Sequence, residues 1–82
     1  MNTQYMKPQD LVEGKRSKDP SLATQTDIAD MAGVHKNTVT KWQQRGHLPQ
    51  PTMRIPQWNM PLYSRKEVLN WLLDTGRIIP QP

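Results

Sequence analysis

The sequence contains no cysteine, so disulfide bonds and thiolate metal sites are excluded. No apolar run after Met1 is long enough for a signal peptide, and no stretch of the chain approaches the length of a membrane span. We therefore expect a cytoplasmic protein that makes no contact with a membrane.

Signals of catalysis are also missing. There is no glycine-rich phosphate loop, and Ser21 and Ser64 have no neighbouring base. His35 and His47 lack the acidic or cysteine companions that a metal site needs. We expect no enzyme, no metal and no cofactor.

Acidic residues are scarce in one part of the chain. Residues 31–82 carry seven basic and two acidic side chains, whereas residues 1–30 carry four basic and five acidic ones. The net charge of +4 therefore comes from the part with the stronger folding signals. This distribution favours a polyanionic partner, although small basic domains without such a partner also exist.

Composition divides the chain into three segments. Residues 1–21 are polar with scattered apolar side chains, and we predict a flexible N-terminal arm there. The basic cluster at 15–18 is more typical of a solvated linker than of an arm that inserts into a groove. We predict a folded domain over residues 22–77 and a short tail over 78–82.

Capping residues predict two helices joined by a tight turn. Thr24 and Asp27 form an N-cap pair, and Gly33 ends the first helix. A second helix is predicted over 35–45, with Gly46 directly after it.

In the rest of the domain, prolines and a second capping motif determine the predicted elements. Four prolines within residues 49–63 exclude a helix, and apolar runs on both sides of residues 56–59 predict a two-stranded ribbon. Ser64 and Glu67 then form a capping box for a third helix that ends at Gly76. Helix, turn, helix, hairpin and helix is the order of a winged helix-turn-helix, a mainly α fold with a small β-hairpin.

The second helix has two chemically different faces. If Val39 and Trp42 face the core, the helical repeat places four hydrogen-bonding side chains on the opposite face: Asn37, Thr40, Lys41 and Gln44. Lysine can reach guanine, and asparagine or glutamine can pair with adenine in the major groove. An ordinary solvated face is the alternative.

The three tryptophans are not equivalent in this pattern. Trp71 is expected in the core, and Trp42 is expected in the core with its indole N–H at the rim. For Trp58, at the tip of the ribbon, packing beneath the ribbon and contact with a nucleic-acid backbone both remain open.

Residues 22–76 resemble the MerR-like winged-helix modules, above all the short excisionase and AlpA-type proteins of phages, plasmids and actinobacteria. The segments "DIADMAGVHKNTVTKWQQRGHLP" and "PLYSRKEVLNWLLDTG" carry the resemblance. It implies a reading helix over 35–45, a phosphate-contacting aromatic at Trp42 and a wing over 53–62. Leu62 stands where the family often has arginine, so Arg54 or Arg65 would supply that phosphate contact.

Together these observations predict a sequence-specific protein that binds double-stranded DNA in a bacterial or phage-infected cell. It would act as a small transcriptional regulator or an excisionase-type directionality factor, as a homodimer or as an array assembled on DNA. The alternatives are the DNA-recognition module of a phage packaging complex and a protein-binding adaptor. The predicted DNA contacts are Lys36, Asn37, Thr38, Thr40, Lys41, Trp42, Gln44, Arg45, Arg54, Arg65 and Lys66.

Overall fold

Three α-helices and five short strands make up the part of the chain that the computed structural model describes, residues 11–78. The helices are α1 (Gln25–Ala32), α2 (Lys36–Gln44) and α3 (Arg65–Asp74). The strands are β1 (Val12–Glu13), β2 (Arg16–Ser17), β3 (Leu22–Ala23), β4 (Met53–Ile55) and β5 (Met60–Ser64), with a 3-10 turn at Pro56–Trp58. The fold is mixed α/β, with more strand than the sequence indicated.

The cap of α1 is confirmed. The Thr24 hydroxyl accepts the Asp27 backbone N–H at 3.2 Å, and the Asp27 carboxylate accepts the Thr24 N–H at 3.0 Å. Gly33 ends the helix with φ +69°, a left-handed conformation in which glycine carries no side-chain penalty. These local bonds fix both ends of α1.

Ser64 caps α3, because its hydroxyl accepts the backbone N–H of Glu67 at 3.3 Å. The predicted capping box is only half formed, because the Glu67 side chain does not return to the Ser64 N–H. Ser64 is also the last residue of β5, so the strand runs directly into the helix without a loop. The orientation of α3 is therefore coupled to the sheet.

The sheet has three strands in the order β3-β5-β4, all antiparallel. The predicted two-stranded ribbon corresponds to β4 and β5, and β3 joins it by pairing Ala23 with Tyr63. β3 has only two residues and depends on pairing with a strand far along the chain. Local sequence could not have indicated it.

Two apolar cores lie on opposite faces of this sheet, because successive side chains of a strand point to opposite sides. Tyr63 packs into the core that contains Val39 and the helices. Its neighbour Leu62 packs into a second core with Leu11 and Val12. β5 therefore connects the helical layer to the N-terminal segment.

The prediction of a flexible arm through residue 21 does not hold for residues 11–21. β1 and β2 form a hairpin whose turn contains Gly14 at φ +63°. Leu11 and Val12 are 6% and 3% exposed, so the domain boundary predicted at residue 22 falls inside a packed unit. Residues 1–10 lie outside the described part of the chain.

Asp27 holds this hairpin to the rest of the molecule. Its side chain is 7% exposed, and it accepts the backbone N–H of Ser17 at 2.8 Å in addition to that of Thr24. The guanidinium groups of Arg16 and Arg65 approach the carboxylate at 3.7 and 3.8 Å. A residue expected only to cap α1 also connects β2 and α3 to it.

The C-terminal end of the described chain folds back onto the helices. Ile78 packs against the main core, and its N–H donates to the Leu72 carbonyl at 3.3 Å. The remaining residues of the predicted tail, 79–82, lie outside the described part. Within residues 11–78 no helix is both long enough and apolar enough to cross a bilayer.

Candidate nucleic-acid interface

One face of α2 is fixed in the protein interior. Val39 is fully buried, and the Trp42 ring packs edge-on against Trp71 with centroids 5.4 Å apart. The Arg77 guanidinium lies 4.5 Å from the Trp71 ring centroid and 5.1 Å from that of Trp42. These cation–π contacts tie the C-terminal end of the domain to α2.

Trp42 is therefore a partly buried packing residue, as expected from its position opposite the polar face. This role of Arg77 could not be predicted, because the residue follows Gly76 beyond the end of α3 and has no place in the helical repeat. Arg77 contacts both tryptophan rings only because the fold brings α2 and α3 together.

The opposite face of α2 is open. Asn37, Lys41, Gln44 and Arg45 are exposed, and Thr38 and Thr40 are half-buried. The Thr40 hydroxyl donates a hydrogen bond to the Lys36 carbonyl at 3.2 Å, so its proton is used within the helix. Its oxygen lone pairs can still accept a hydrogen bond.

The N-terminus of α2 is held by an unusual cap. The His35 ring Nδ1 accepts the backbone N–H of Asn37 at 3.1 Å, which requires an unprotonated Nδ1. His35 thus caps α2 in place of the serine, threonine, aspartate or asparagine that usually occupies this position. The bond fixes the first turn, from which Lys36 and Asn37 are presented to solvent.

An exposed hydrogen bond between side chains joins α1 and α2. The Gln25 amide donates to the Gln43 side-chain oxygen at 3.3 Å. Because Gln43 bonds to α1, it lies at the edge of the polar face that is next to α1. Neither residue is among the predicted DNA contacts.

Arg54 on β4 is exposed and held in place. Its Nη1 donates to the backbone and side-chain oxygens of Asn59, at 3.2 and 3.1 Å. Asn59 is neutral, so these bonds orient the guanidinium group without cancelling its charge. Arg54 therefore keeps the properties expected of a phosphate contact.

Arg65 is engaged differently. Its Nε donates to the Pro20 carbonyl at 3.0 Å, and its Nη2 donates to the Leu22 carbonyl at 3.1 Å. These bonds fasten the β2–β3 connection to α3, and the nearby Asp27 balances the charge. Lys66, the next residue, is exposed. Of the two arginines offered as the phosphate contact, Arg54 is the better placed.

A basic residue outside the predicted DNA contacts lies beside α2. Lys15, in the turn of the β1–β2 hairpin, lines a surface pocket together with Lys36 and the first turn of α1. Met60 and Pro61 of β5 complete one side of the pocket. Only the tertiary fold brings Lys15 and Lys36 to one surface, so no sequence spacing could have revealed the pair.

Tyr63 contributes to packing rather than to this surface. Its side chain is 1% exposed, and burial raises the pKa of its hydroxyl above the ordinary value. The Gln25 amide lies nearby, but the hydroxyl has no hydrogen-bond partner of good geometry among the described residues. Residues 11–78 contain no group of three or more acidic, histidine or cysteine side chains that could hold a metal ion.

No protein-family model, curated protein or solved structure matches this chain. The function must therefore be inferred from the surface itself. That surface combines the polar face of α2, the lysines beside its N-terminus and the arginine of the β4–β5 hairpin.

Proposed function

We propose that this protein is a sequence-specific, double-stranded DNA-binding protein with a MerR-like winged helix-turn-helix fold. In this assignment α1 and α2 form the helix-turn-helix, α2 is the reading helix, and the β4–β5 hairpin is the wing. The protein would act as a small transcriptional regulator or as an excisionase-type directionality factor.

The observation that carries the proposal is the contrast between the two faces of α2. One face is fixed by Val39 and Trp42, while the other presents Asn37, Lys41 and Gln44 to solvent. A rigid helix with exposed amide and ammonium groups suits the major groove, whose base edges offer a distinct pattern of donors and acceptors.

Base reading falls to the exposed side chains near the start and middle of α2. Asn37 and Gln44 can each form two hydrogen bonds with adenine, and Lys41 can donate to guanine O6 or N7. Thr38 and Thr40 are half-buried; their hydroxyls can accept a hydrogen bond from a base, and their methyl groups can lie against a thymine methyl group. This assigns hydrogen-bonded reading of base edges to α2 rather than to the hairpin.

Phosphate contacts fall to the surrounding cations. Lys36, Arg45, Arg54 and Lys66 stay in the set because they are exposed, and Lys15 joins it through its pocket with Lys36. Arg65 and Trp42 leave it because their side chains serve the packing of the domain. Each phosphate that is neutralised releases counterions, so binding should weaken steeply with salt.

A single copy would make a small interface. One module of this size buries about 600–1,000 Å² on DNA, which is the low end for specific complexes. We therefore propose that the protein binds repeated or inverted sites as a homodimer or as an array assembled on DNA.

Selection from a pool of random duplexes tests the proposal. The selected duplex and a scrambled duplex then serve to compare wild type with Asn37→Ala and Lys41→Ala. Each variant should lose about 1–3 kcal/mol on the selected duplex and little on the scrambled one, because base contacts supply only the specific part of binding.

Asn70→Ala is the matched control, since Asn70 is an exposed asparagine on α3. It should change neither affinity. Equal losses on both duplexes for the two α2 variants would show that α2 does not read bases. Binding that does not respond to salt would reject the DNA proposal altogether and favour an adaptor that binds protein.

A further inference from the structure

The tip of the β4–β5 hairpin holds a large aromatic side chain in solvent. Trp58 is 51% exposed, whereas Trp42 and Trp71 pack against each other and against Arg77. Of the two roles left open by the sequence, packing beneath the hairpin is not what the structure shows. Tryptophan is among the residues most enriched at binding hot spots, so a ring held in solvent at a hairpin tip suits a binding role.

The backbone that carries Trp58 is rigid. Pro56 occupies the first position of the 3-10 turn, and the Asn59 N–H donates to its carbonyl at 3.2 Å. Asn59 adopts a left-handed conformation with φ +49°, one that asparagine tolerates better than most residues. Ile55 anchors the base of the tip in the second core at 3% exposure. The ring is therefore presented from a fixed turn rather than from a flexible loop.

Arg54 places a positive charge at the same tip. Its two hydrogen bonds to Asn59 hold the guanidinium next to the residue that follows Trp58. The contacts are made by one nitrogen, so the other N–H groups stay available to a ligand. An apolar ring beside an uncompensated cation matches a ligand with both stacked aromatic faces and anionic groups, which duplex DNA provides.

We propose that Trp58 acts as a wedge that enters the minor groove and partly unstacks one base-pair step, with Arg54 bound to the adjacent phosphate. Apolar side chains inserted in this way kink the duplex, and flexible pyrimidine–purine steps such as TA are the least costly to deform. This inference rests on the proposed DNA-binding function and adds to it. It makes the protein a DNA-bending factor and predicts a preference at a step that α2 does not contact.

The test measures bending and affinity separately. Wild type and Trp58→Ala are compared on the selected duplex carrying fluorophores at both ends, with energy transfer reporting the end-to-end distance. Wild type should shorten that distance, and Trp58→Ala should bind with little shortening and about tenfold lower affinity, because the free energy of insertion is lost. Trp58→Leu, which keeps an apolar side chain, should retain part of the bend.

A duplex with an unpaired bulge at the contacted step supplies the rescue arm. The bulge kinks DNA in advance, so the affinity of Trp58→Ala for it should approach that of wild type. Met53→Ala is the matched control, because Met53 is an apolar residue of the same hairpin at 40% exposure. It should bend DNA as wild type does.

The outcomes separate the two proposals. If wild type binds no duplex DNA, the proposed function fails. If wild type binds and bends DNA and Trp58→Ala bends it equally, only the wedge is rejected. The wedge is also rejected if the loss in Trp58→Ala is the same on intact and bulged duplexes, since the ring would then contribute a contact without deforming the DNA.

Discussion

The β1–β2 hairpin and the β4–β5 hairpin each carry an exposed arginine on a short strand, but the two arginines meet different partners. Arg16 of β2 lies against the carboxylates of Asp27 and Asp30. Arg54 of β4 bonds to Asn59, which has no charge. The charge of Arg16 is balanced by carboxylates of the protein itself, whereas the charge of Arg54 is not.

This difference teaches how to read the basic residues of a small domain. Arg65 and Arg77 look equivalent to Arg54 in the sequence, yet one bonds to backbone carbonyls and the other covers two tryptophan rings. Net charge counts all of them alike. The partners of each guanidinium group decide which of them can form an interface.

Loss of the Asp27 carboxylate should have the largest effect, because it removes what makes the β1–β2 hairpin part of the fold. Asp27→Ala leaves the backbone N–H groups of Ser17 and Thr24 without their acceptor and removes the buried carboxylate that Arg16 and Arg65 approach. It should cost about 3–5 kcal/mol of unfolding free energy. Denaturant titration followed by circular dichroism measures this. Asp30→Ala removes only an exposed partner of Arg16 and should stay within about 1 kcal/mol of wild type.

Truncation of Leu11 tests the same hairpin through its apolar contacts. A flexible arm would lose nothing, whereas a packed one should lose about 2 kcal/mol when Leu11 becomes alanine, the low end for a buried leucine. Chemical denaturation gives the value. Unchanged stability would return residues 11–21 to the status of an arm and would weaken the contrast between the hairpins.

Exchange of each arginine for alanine sharpens the comparison on DNA. Arg54→Ala should weaken binding to selected and scrambled duplexes alike and should flatten the salt slope by roughly one unit, as expected for one lost phosphate contact. Its unfolding free energy should change by less than about 0.5 kcal/mol. Arg16→Ala should leave the slope unchanged. The reverse pattern would assign the interface to the β1–β2 hairpin.

The smallest effect is expected on β5, which is part of the β4–β5 hairpin and packs against the β1–β2 hairpin. Tyr63→Phe removes a buried hydroxyl that lacks a well-placed partner, so stability should stay the same or rise by up to about 1 kcal/mol. Thermal melting detects the change. A clear loss would mean that the hydroxyl makes a bond in solution, with the Gln25 amide as the nearest group.

The parts of the fold that sequence could predict are those with local causes. Thr24, Gly33 and Ser64 act on backbone groups within a few residues, and the predicted helix ends at these positions are confirmed. The burial of Val39 follows from the helical repeat and is confirmed as well. Local capping and periodicity therefore located the helices and the buried side of α2.

The missed features all depend on residues far apart in the chain. β3 exists because β5 pairs with it, and Lys15 reaches Lys36 because Asp27 holds the first hairpin in place. Arg65 has a charge typical of a phosphate contact, but its partners are two carbonyls on a distant segment. Charge and periodicity identify residue types, and only tertiary structure shows how each side chain is used.

The alternation of Leu62 and Tyr63 along β5 has a consequence for how this domain can change in evolution. Each residue belongs to a different core, so inserting or deleting one residue before them would exchange the two faces and disrupt both cores at once. Length variation should therefore be excluded from β5 and tolerated at the hairpin tip. The tip can then acquire new side chains, and under the proposed function new DNA preferences, while the rest of the domain stays unchanged.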